Sequence, residues 1–266
     1  MKLTMLGTGN ALVTECYNTC FLLDDRGQLL LVDGGGGNTV LHQIKHAGYD
    51  WTKIRHIFVT HKHIDHLMGI VWLVRMICQF MAHGDYQGDA YIYSHAEILD
   101  LLRELAEKLL QKKANAFLGQ RLHLVEVSDG ETRRIIGHDV TFFDIRSTKA
   151  KQFGFCMTLE NGKKLTCCGD EPLSESAEPY AEGSDWMLHE AFCLYAQRDL
   201  FDPYEKHHST VKDACELAQR LGVKHLLLYH TEDRNLARRK ELYREEGSQY
   251  FSGDLRIPDD LETLQL

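Results

Sequence analysis

A cluster of metal-binding side chains directly after an apolar run constrains this chain more than any other feature. Residues 61–66 contain three histidines and one aspartate. The preceding run, residues 54–59, is typical of a buried strand, and residues 67–81 carry apolar side chains on a broad helical face. The sequence therefore predicts a strand followed by a helix, with the polar cluster in the loop that joins them.

The residue types in this cluster suit a divalent metal ion, because imidazole nitrogen and carboxylate oxygen are ligands for zinc, manganese and iron. In an extended stretch His61 and His63 point the same way and can hold one ion, while Asp65 and His66 begin the helix and face a second. Two metals about 3.5–4 Å apart can share a hydroxide and clamp both the attacking and the leaving oxygen of an ester displacement. We therefore expect two divalent ions, zinc first, with manganese and iron as alternatives, and we count Asp65 among the catalytic residues.

The order of these residues, His61-Lys-His63-Ile-Asp65-His66, resembles the HxHxDH signature of the metallo-β-lactamase superfamily. The resemblance implies an α/β fold, a four-layer αββα sandwich in which two mixed β-sheets carry outer helices and the metals lie on loops at one sheet edge. It covers nearly the whole chain, since later motifs follow in the expected order. A chain of 266 residues without a Pro/Ser-rich linker is expected to form a single domain over residues 1–266.

Further ligands follow from the same resemblance. Gly169-Asp170 corresponds to the segment that supplies a bridging carboxylate in relatives, and two carboxylate oxygens allow one side chain to contact both metals. His230 corresponds to the last ligand, which completes the second metal with Asp65 and His66. Asp33 follows a strand and precedes glycines, so we expect it to orient a ligand histidine by accepting hydrogen bonds rather than to bind metal.

One expected ligand is missing from the sequence. Relatives generally carry a histidine in the loop before a later hairpin, and Arg146 stands in the corresponding place. A guanidinium has no lone pair to donate to a cation. Either the first ion is held by His61, His63 and Asp170 with waters, or His138 substitutes, and the first site is expected to bind metal more weakly than the second.

The loop that lacks the histidine is rich in positive charge. Arg146, Lys149 and Lys151 stand within six residues of an otherwise acidic chain. Arg146 and Lys149 are candidates for binding the oxygens of a substrate phosphate, and a solvated basic loop is the alternative.

Two later segments, His189-Glu190-Ala191 and His208-Ser209-Thr210, resemble ribonuclease Z and its phosphodiesterase relatives. In those proteins the glutamate of the first segment orients the histidine of the second. An alkoxide leaves phosphorus far more easily when a positioned acid supplies a proton, and a neighbouring carboxylate raises the pKa of an imidazole. The resemblance thus implies that Glu190 and His208 form a proton donor.

The charge balance bears on the substrate. With 30 basic and 39 acidic residues the formal net charge is −9, which disfavours a nucleic-acid partner. The hairpin region also lacks the long arm of many transfer-RNA-processing relatives. We therefore expect a hydrolase for a small phosphodiester, such as a cyclic nucleotide, that uses a metal-bridging hydroxide and the Glu190/His208 donor.

Three other functions compete with this interpretation. They are a ribonuclease Z-type tRNA 3′ endonuclease, a lactone or thioester hydrolase, and a metal-binding protein with a degenerate first site. The N-terminus lacks the apolar core of a signal peptide and no apolar stretch reaches the about 18 residues of a membrane span, so a cytoplasmic protein without membrane contact is expected. The sequence is compatible with a homodimer, and its eight cysteines are expected to be reduced packing residues.

Overall fold

The computed structural model describes residues 1–160 and 162–266, so the hairpin turn predicted at Asn161 lies outside the described residues. The strands are β1 (Lys2–Gly7), β2 (Cys20–Asp25), β3 (Gln28–Val32), β4 (His56–Phe58), β5 (Ala90–Ser94), β6 (Leu122–Glu126), β7 (Thr132–Ile135), β8 (His138–Asp144), β9 (Phe153–Thr158), β10 (Lys164–Cys167), β11 (Trp186–Glu190), β12 (His225–Tyr229), β13 (Asp254–Arg256) and β14 (Thr263–Gln265). The helices are α1 (Thr39–His46), α2 (Ile64–His83), α3 (Ala96–Leu109), α4 (Lys112–Asn115), α5 (Glu178–Ala181), α6 (Arg198–Phe201), α7 (Val211–Arg220) and α8 (Arg239–Gly247).

The chain divides into two compact units, each built on one sheet. The first unit comprises Met1–Gly7, Thr19–Ser128 and Leu261–Leu266, and the second comprises Thr8–Asn18 and Asp129–Asp260. The sheet of the first unit has the strand order β14-β1-β2-β3-β4-β5-β6, and that of the second unit has the order β13-β12-β11-β10-β9-β8-β7. The expectation of a single domain stays a prediction.

Both sheets are mixed, and they follow the same plan. In the first, the pairs from β14 to β3 are antiparallel and the pairs from β3 to β6 are parallel. In the second, the pairs from β7 to β10 are antiparallel and the pairs from β10 to β13 are parallel. Parallel neighbours end at the same sheet edge, so the loops that follow them gather there. The predicted metal-site residues follow β3 and β4 in the first unit and β10 and β12 in the second, Glu190 ends β11, and Arg146 and Lys149 follow β8.

Helix α2 supplies much of the core of the first unit. It buries an apolar stripe at helical spacing, which includes Leu67, Ile70, Leu73, Val74 and Ile77. It is also the one helix of the described chain long and apolar enough to cross a membrane, but 61% of its most apolar window is buried inside the protein. This burial is the pattern of a core helix.

The core of the second unit lies on the parallel half of its sheet. Helix α7 contributes Val211, Ala214, Cys215 and Ala218, all fully buried, to a cluster that includes strand residues of β11 and β12. A capping box at Thr210 and Asp213, the pattern expected from the sequence, begins this helix. All eight cysteines are free thiols, and six of them are buried, as expected for packing residues.

Candidate metal centre and proton donor

The metal-binding segment of the first unit occupies the connection from β4 to α2, which confirms the predicted strand-to-helix arrangement. His61 and His63 precede the helix, and His63 takes the extended N-cap conformation. Asp65 and His66 lie in the first turn, where an acidic side chain is favoured by the helix dipole. Except for His63, which is partly exposed, these side chains are buried.

His61 and His63 hold two ring nitrogens side by side. His61 Nε2 lies 2.8 Å from His63 Nδ1, and His61 Nδ1 lies 2.9 Å from the Thr60 hydroxyl. Two nitrogens that bind one tetrahedral zinc ion at about 2.0–2.1 Å lie roughly 3.4 Å apart. A small adjustment of the rings would therefore let both bind one ion, so this pair fits the implied metal.

Asp33 fixes the orientation of His66. Its Oδ2 atom lies 2.8 Å from His66 Nδ1, and it accepts further hydrogen bonds from the backbone N–H and the hydroxyl of Thr60, at 2.8 and 2.7 Å. The Nδ1 nitrogen thereby acts as the donor, and Nε2 becomes the nitrogen suited to metal. Asp65 Oδ2 lies 3.4 Å from that Nε2 atom, so an imidazole and a carboxylate stand together.

A close backbone contact positions the start of α2. Gly34 N–H donates to the His66 carbonyl at 2.9 Å, and Gly69 N–H donates to the Gly35 carbonyl at 2.9 Å. A Cβ atom placed on Gly69 would lie 1.8 Å from the Gly34 carbonyl oxygen. The glycine run after β3 therefore approaches the helix at a distance that any side chain would prevent.

In the second unit, Asp170 and His230 follow β10 and β12. Their atoms Oδ2 and Nε2 lie 3.4 Å apart, and both side chains are buried. Gln152 fixes the Asp170 carboxylate, because its amide Nε2 donates a hydrogen bond to Asp170 Oδ1 at 2.5 Å. Tyr229 donates its hydroxyl hydrogen to the Gly169 carbonyl at 2.5 Å, which ties the two ligand-bearing turns together.

Gln152 is a site residue that the sequence analysis missed. It is fully buried and lies in the loop in which relatives were expected to carry a histidine. Its place between Lys151 and the apolar run that begins at Phe153 was the available signal, but an amide follows no metal-ligand pattern. In this chain the loop supports the Asp170 carboxylate through an amide.

Glu190 and His208 form a buried pair in the same unit. Glu190 Oε2 lies 3.7 Å from His208 Nδ1, and Glu190 Oε1 accepts the backbone N–H of Ser209. The His208 ring stacks on Phe192, with centroids 4.9 Å apart. Burial lowers the pKa of His208, but the neighbouring carboxylates of Glu190 and Asp170 outweigh it, so the pKa is raised overall. The arrangement favours a protonated imidazole.

The donor pair lies beside a predicted metal ligand. The rings of His208 and His230 are 5.1 Å apart, and one polar atom each of Glu190, His208 and His230 lies within 4.8 Å of the others. His230 thus neighbours Asp170 on one side and the donor pair on the other. This is the spacing expected when a proton is supplied next to a metal site.

The basic loop divides into two parts with different surroundings. Arg146 pairs with Asp129 and Asp144 at 2.6 and 3.3 Å, and its side chain is more than half exposed. Lys149 Nζ instead lies 3.4 Å from His208 Nε2 and 3.5 Å from Glu171. Lys149 is therefore the cation of this loop that lies at the donor.

His138, considered as a substitute ligand, begins β8 at the end of the strand remote from the basic loop. Its Nδ1 lies 3.2 Å from the Thr158 carbonyl. Asp144 lies six positions further along the strand, which corresponds to about 20 Å of extended backbone. His138 accordingly does not join Asp170 and His230.

Comparison with known proteins extends over nearly the whole chain. The family model described as anti-Pycsar protein Apyc1 matches residues 1–251. A ribonuclease Z from Brevibacillus brevis is 26% identical over 302 aligned positions, which cover 96% of this chain and 90% of the relative.

Solved structures show the same fold. The metallo-β-lactamase fold protein YhfI from Bacillus subtilis has a TM-score of 0.78 at 20% identity, covering 99% of this chain and 98% of that one. A diphosphatase of the PhnP family has a TM-score of 0.74 at 16% identity, covering 100% and 97%. The predicted fold and the resemblance to the ribonuclease Z branch are confirmed. The chain belongs to the anti-Pycsar protein Apyc1 family and has the metallo-β-lactamase fold.

Proposed function

We propose that this protein is a metal-dependent phosphodiesterase that acts on a small phosphodiester, with Glu190 and His208 as its proton donor. The observation that carries the proposal is the buried Glu190/His208 pair beside His230. A buried carboxylate next to an imidazole is costly unless the two share a proton or a charge. A leaving alkoxide needs such a proton, whereas a lactone or β-lactam hydrolase can work without this donor.

The proposal includes two divalent metal ions, zinc first. His61 and His63 would hold one ion and Asp65, His66 and His230 the other, with Asp170 as a carboxylate shared by both. Ions of this kind, when bound, polarise phosphoryl oxygens and make water a stronger nucleophile at neutral pH. Because the histidine expected for the first ion is replaced, we expect that ion to bind more weakly.

The remaining roles fall to side chains of the second unit. Glu190 holds the donor segment through the Ser209 N–H and faces His208 Nδ1, which leaves Nε2 as the nitrogen that can give a proton to the leaving oxygen. Lys149, which lies 3.4 Å from that Nε2, can attract a phosphate oxygen to the same place. A substrate phosphate bound there would take over the contact that Lys149 makes with His208.

A small substrate fits the charges better than a transfer RNA does. The formal net charge is −9, and Arg146 in the basic loop is already paired with two carboxylates. A long phosphate backbone would need several positive contacts to bind. Endonuclease activity of the ribonuclease Z type is the second candidate, favoured by the relative of that name.

Metal analysis combined with a substrate panel tests the proposal. The panel contains a 3′,5′-cyclic nucleotide, bis(p-nitrophenyl) phosphate, a lactone, a thioester and a precursor transfer RNA. We expect bound divalent metal and turnover of the two phosphodiesters alone. A preference for the lactone or thioester, or cleavage of the transfer RNA, would replace the proposal with the corresponding alternative.

Two variants serve as a matched pair in this experiment. His61→Ala removes a proposed ligand, whereas His42→Ala alters a histidine that stacks on His46 along α1. We expect only the first to lose metal and activity. A cytoplasmic location belongs to the same proposal, and cell fractionation tests it.

A further inference from the structure

A cavity of about 250 Å³ in the second unit is lined by none of the proposed metal ligands and by neither member of the Glu190/His208 pair. Its wall combines apolar, aromatic and cationic side chains with one amide and two carboxylates, from three separate stretches of the chain. They include Leu12, Phe192, Leu200, Phe201, Lys206 and Arg234. A cavity of this composition suits a flat organic group better than an ion.

The mouth of the cavity exposes apolar surface. Leu12 and Leu200 are 74% and 58% exposed, and they are among the few large hydrophobic side chains on the surface of the described chain. Exposed apolar residues that gather at one place, rather than singly, are a mark of binding sites. The two leucines therefore form an apolar rim that a ligand can cover.

The aromatic ring of Phe192 connects the cavity to His208, the proposed proton donor. Phe192 lines the cavity and also stacks on His208, with centroids 4.9 Å apart and planes 17° from parallel. Its backbone is fixed on both sides, by the Ser209 carbonyl at 2.9 Å and the Glu232 N–H at 2.8 Å. A group in the cavity thus stands at a set distance from the proton that His208 would deliver.

The cavity wall carries two cations and two acidic residues, and the two cations are the charges that lie near its aromatic rings. Lys206 Nζ lies 5.3 Å from the Phe192 ring centre, and Arg234 Cζ lies 5.6 Å from that of Phe201. The acidic residues of the wall are bound within the protein: Asp233 accepts the N–H groups of two residues of the 8–18 loop, at 2.6 and 3.0 Å. Glu232 accepts both the backbone and side-chain N–H groups of Asn235.

We infer that this cavity is a subsite for the planar aromatic or heteroaromatic ring of a phosphate ester. The ring would pack on Phe201 between Leu12 and Leu200, and Arg234 and Lys206 would favour both its π-face and the attached anion. The inference rests on the proposed function, because it names the part of the substrate that is not phosphate. It is tested by binding, without turnover.

Calorimetric titration of the purified protein with phenyl phosphate and with methyl phosphate isolates the contribution of the ring. Ring stacking on an aromatic side chain contributes about 1–3 kcal/mol, so we expect phenyl phosphate to bind about tenfold more tightly than methyl phosphate. Phe201→Ala should reduce that ratio to about two, and Arg234→Gln should reduce it about threefold. Leu109→Ala, at an exposed leucine of α3 in the first unit, should leave the ratio unchanged.

Equal affinity for the two phosphates in the unaltered protein overturns the inference, as does a ratio retained in both Phe201→Ala and Arg234→Gln. Circular dichroism checks that each variant is folded, and Arg234→Gln decides the question if Phe201→Ala does not fold. If the protein binds phenyl phosphate more tightly than methyl phosphate but hydrolyses no phosphodiester, the subsite stands and the proposed function is rejected. If the protein hydrolyses phosphodiesters but binds phenyl phosphate and methyl phosphate equally tightly, the subsite is rejected and the proposed function stands.

Discussion

Glu190 Oε2 faces His208 Nδ1 across 3.7 Å, in a part of the second unit from which water is largely excluded. The other carboxylate oxygen, Oε1, accepts a hydrogen bond from the Ser209 N–H. One side chain therefore fixes the backbone next to His208 and also places a negative charge beside its imidazole. This double role is what we expect of the proposed proton donor and not of a histidine that merely packs.

Replacing His208 by glutamine should reduce kcat according to the leaving group. A general acid contributes about 10²–10⁴-fold when the leaving oxygen is strongly basic, as in a cyclic nucleotide. A p-nitrophenolate needs little protonation, so kcat for bis(p-nitrophenyl) phosphate should fall much less. Steady-state kinetics on both substrates, with metal content measured in parallel, checks this expectation.

The matched variant is Glu190→Gln, which keeps an oxygen for the Ser209 N–H but removes the charge. It should show the same leaving-group dependence in weaker form. An equal loss on both substrates, or loss of metal from the His208 variant, would make His208 a ligand or a structural residue instead.

Replacing Asp33 by alanine should weaken metal binding about 10–100-fold, because His66 loses the carboxylate that fixes its ring. Zinc titration against a chromophoric chelator measures the change. Asp100→Asn, at an exposed position of α3, is the control. Unchanged zinc affinity in the Asp33 variant would remove His66 from the ligand set.

Gln152→Ala should destabilise the protein and weaken metal binding together. Loss of the amide leaves the buried Asp170 carboxylate without its 2.5 Å donor, at a cost of about 1–3 kcal/mol. Urea unfolding and zinc titration read the two effects separately, and Gln249→Ala alters an exposed glutamine as a control. A variant as stable as the unaltered protein would show that the contact is dispensable.

The ion pair between Glu178 and Arg220 should make stability depend on pH. The two guanidinium nitrogens lie 2.5 and 2.7 Å from the two carboxylate oxygens. The hydrogen bonds from Arg220 hold the pKa of Glu178 below its ordinary value of 4.5. The folded carboxyl therefore releases its proton more readily than the unfolded one, and the pair stabilises the fold above pH 4.5 but not below the lowered pKa.

Arg220→Ala should accordingly lower stability by about 0.2–1 kcal/mol at pH 7, the range for ion pairs at the protein surface. The difference from the unaltered protein should vanish as the pH falls through the folded pKa of Glu178. Thermal unfolding at pH 7 and at a series of falling pH values checks this, and a difference that shows no decrease along the series would assign the effect to packing of the arginine stem.

The part of the fold that local sequence encodes was predictable. The sequence predicts strands over residues 28–32 and 225–229, which are short apolar runs bounded by turn or polar residues, and β3 and β12 begin and end there. Strand β5 was missed although it is largely buried, since Ala90–Ser94 shows no alternation and its partners, β4 and β6, are distant in sequence. The three-residue strands β13 and β14 are likewise defined by their sheet partners rather than by their own residues.

The candidate site, too, was predictable where its residues are close together in the sequence and not where distant stretches meet. The cluster from His61 to His66 is visible because all its members lie in one loop and one helical turn. Gln152 and the cavity beside Phe192 are defined by contacts between distant stretches, and no spacing in the sequence indicates them. The spacing of leucines over residues 96–114 predicts one long helix, but α3 ends at Leu109, because Leu110 adopts an extended backbone.

The contact between Gly34 and Gly69 constrains how such an enzyme can be altered by design. With 1.8 Å between a hypothetical methyl group and a carbonyl oxygen, even alanine would push the first turns of α2 away from the strand end that carries Asp33. Libraries that aim at new specificity should therefore keep both glycines invariant and vary the cavity rim instead. If substitutions are tolerated at Leu12 and Leu200 but not at Gly34 and Gly69, the cavity rim is a part of the molecule that is free to evolve.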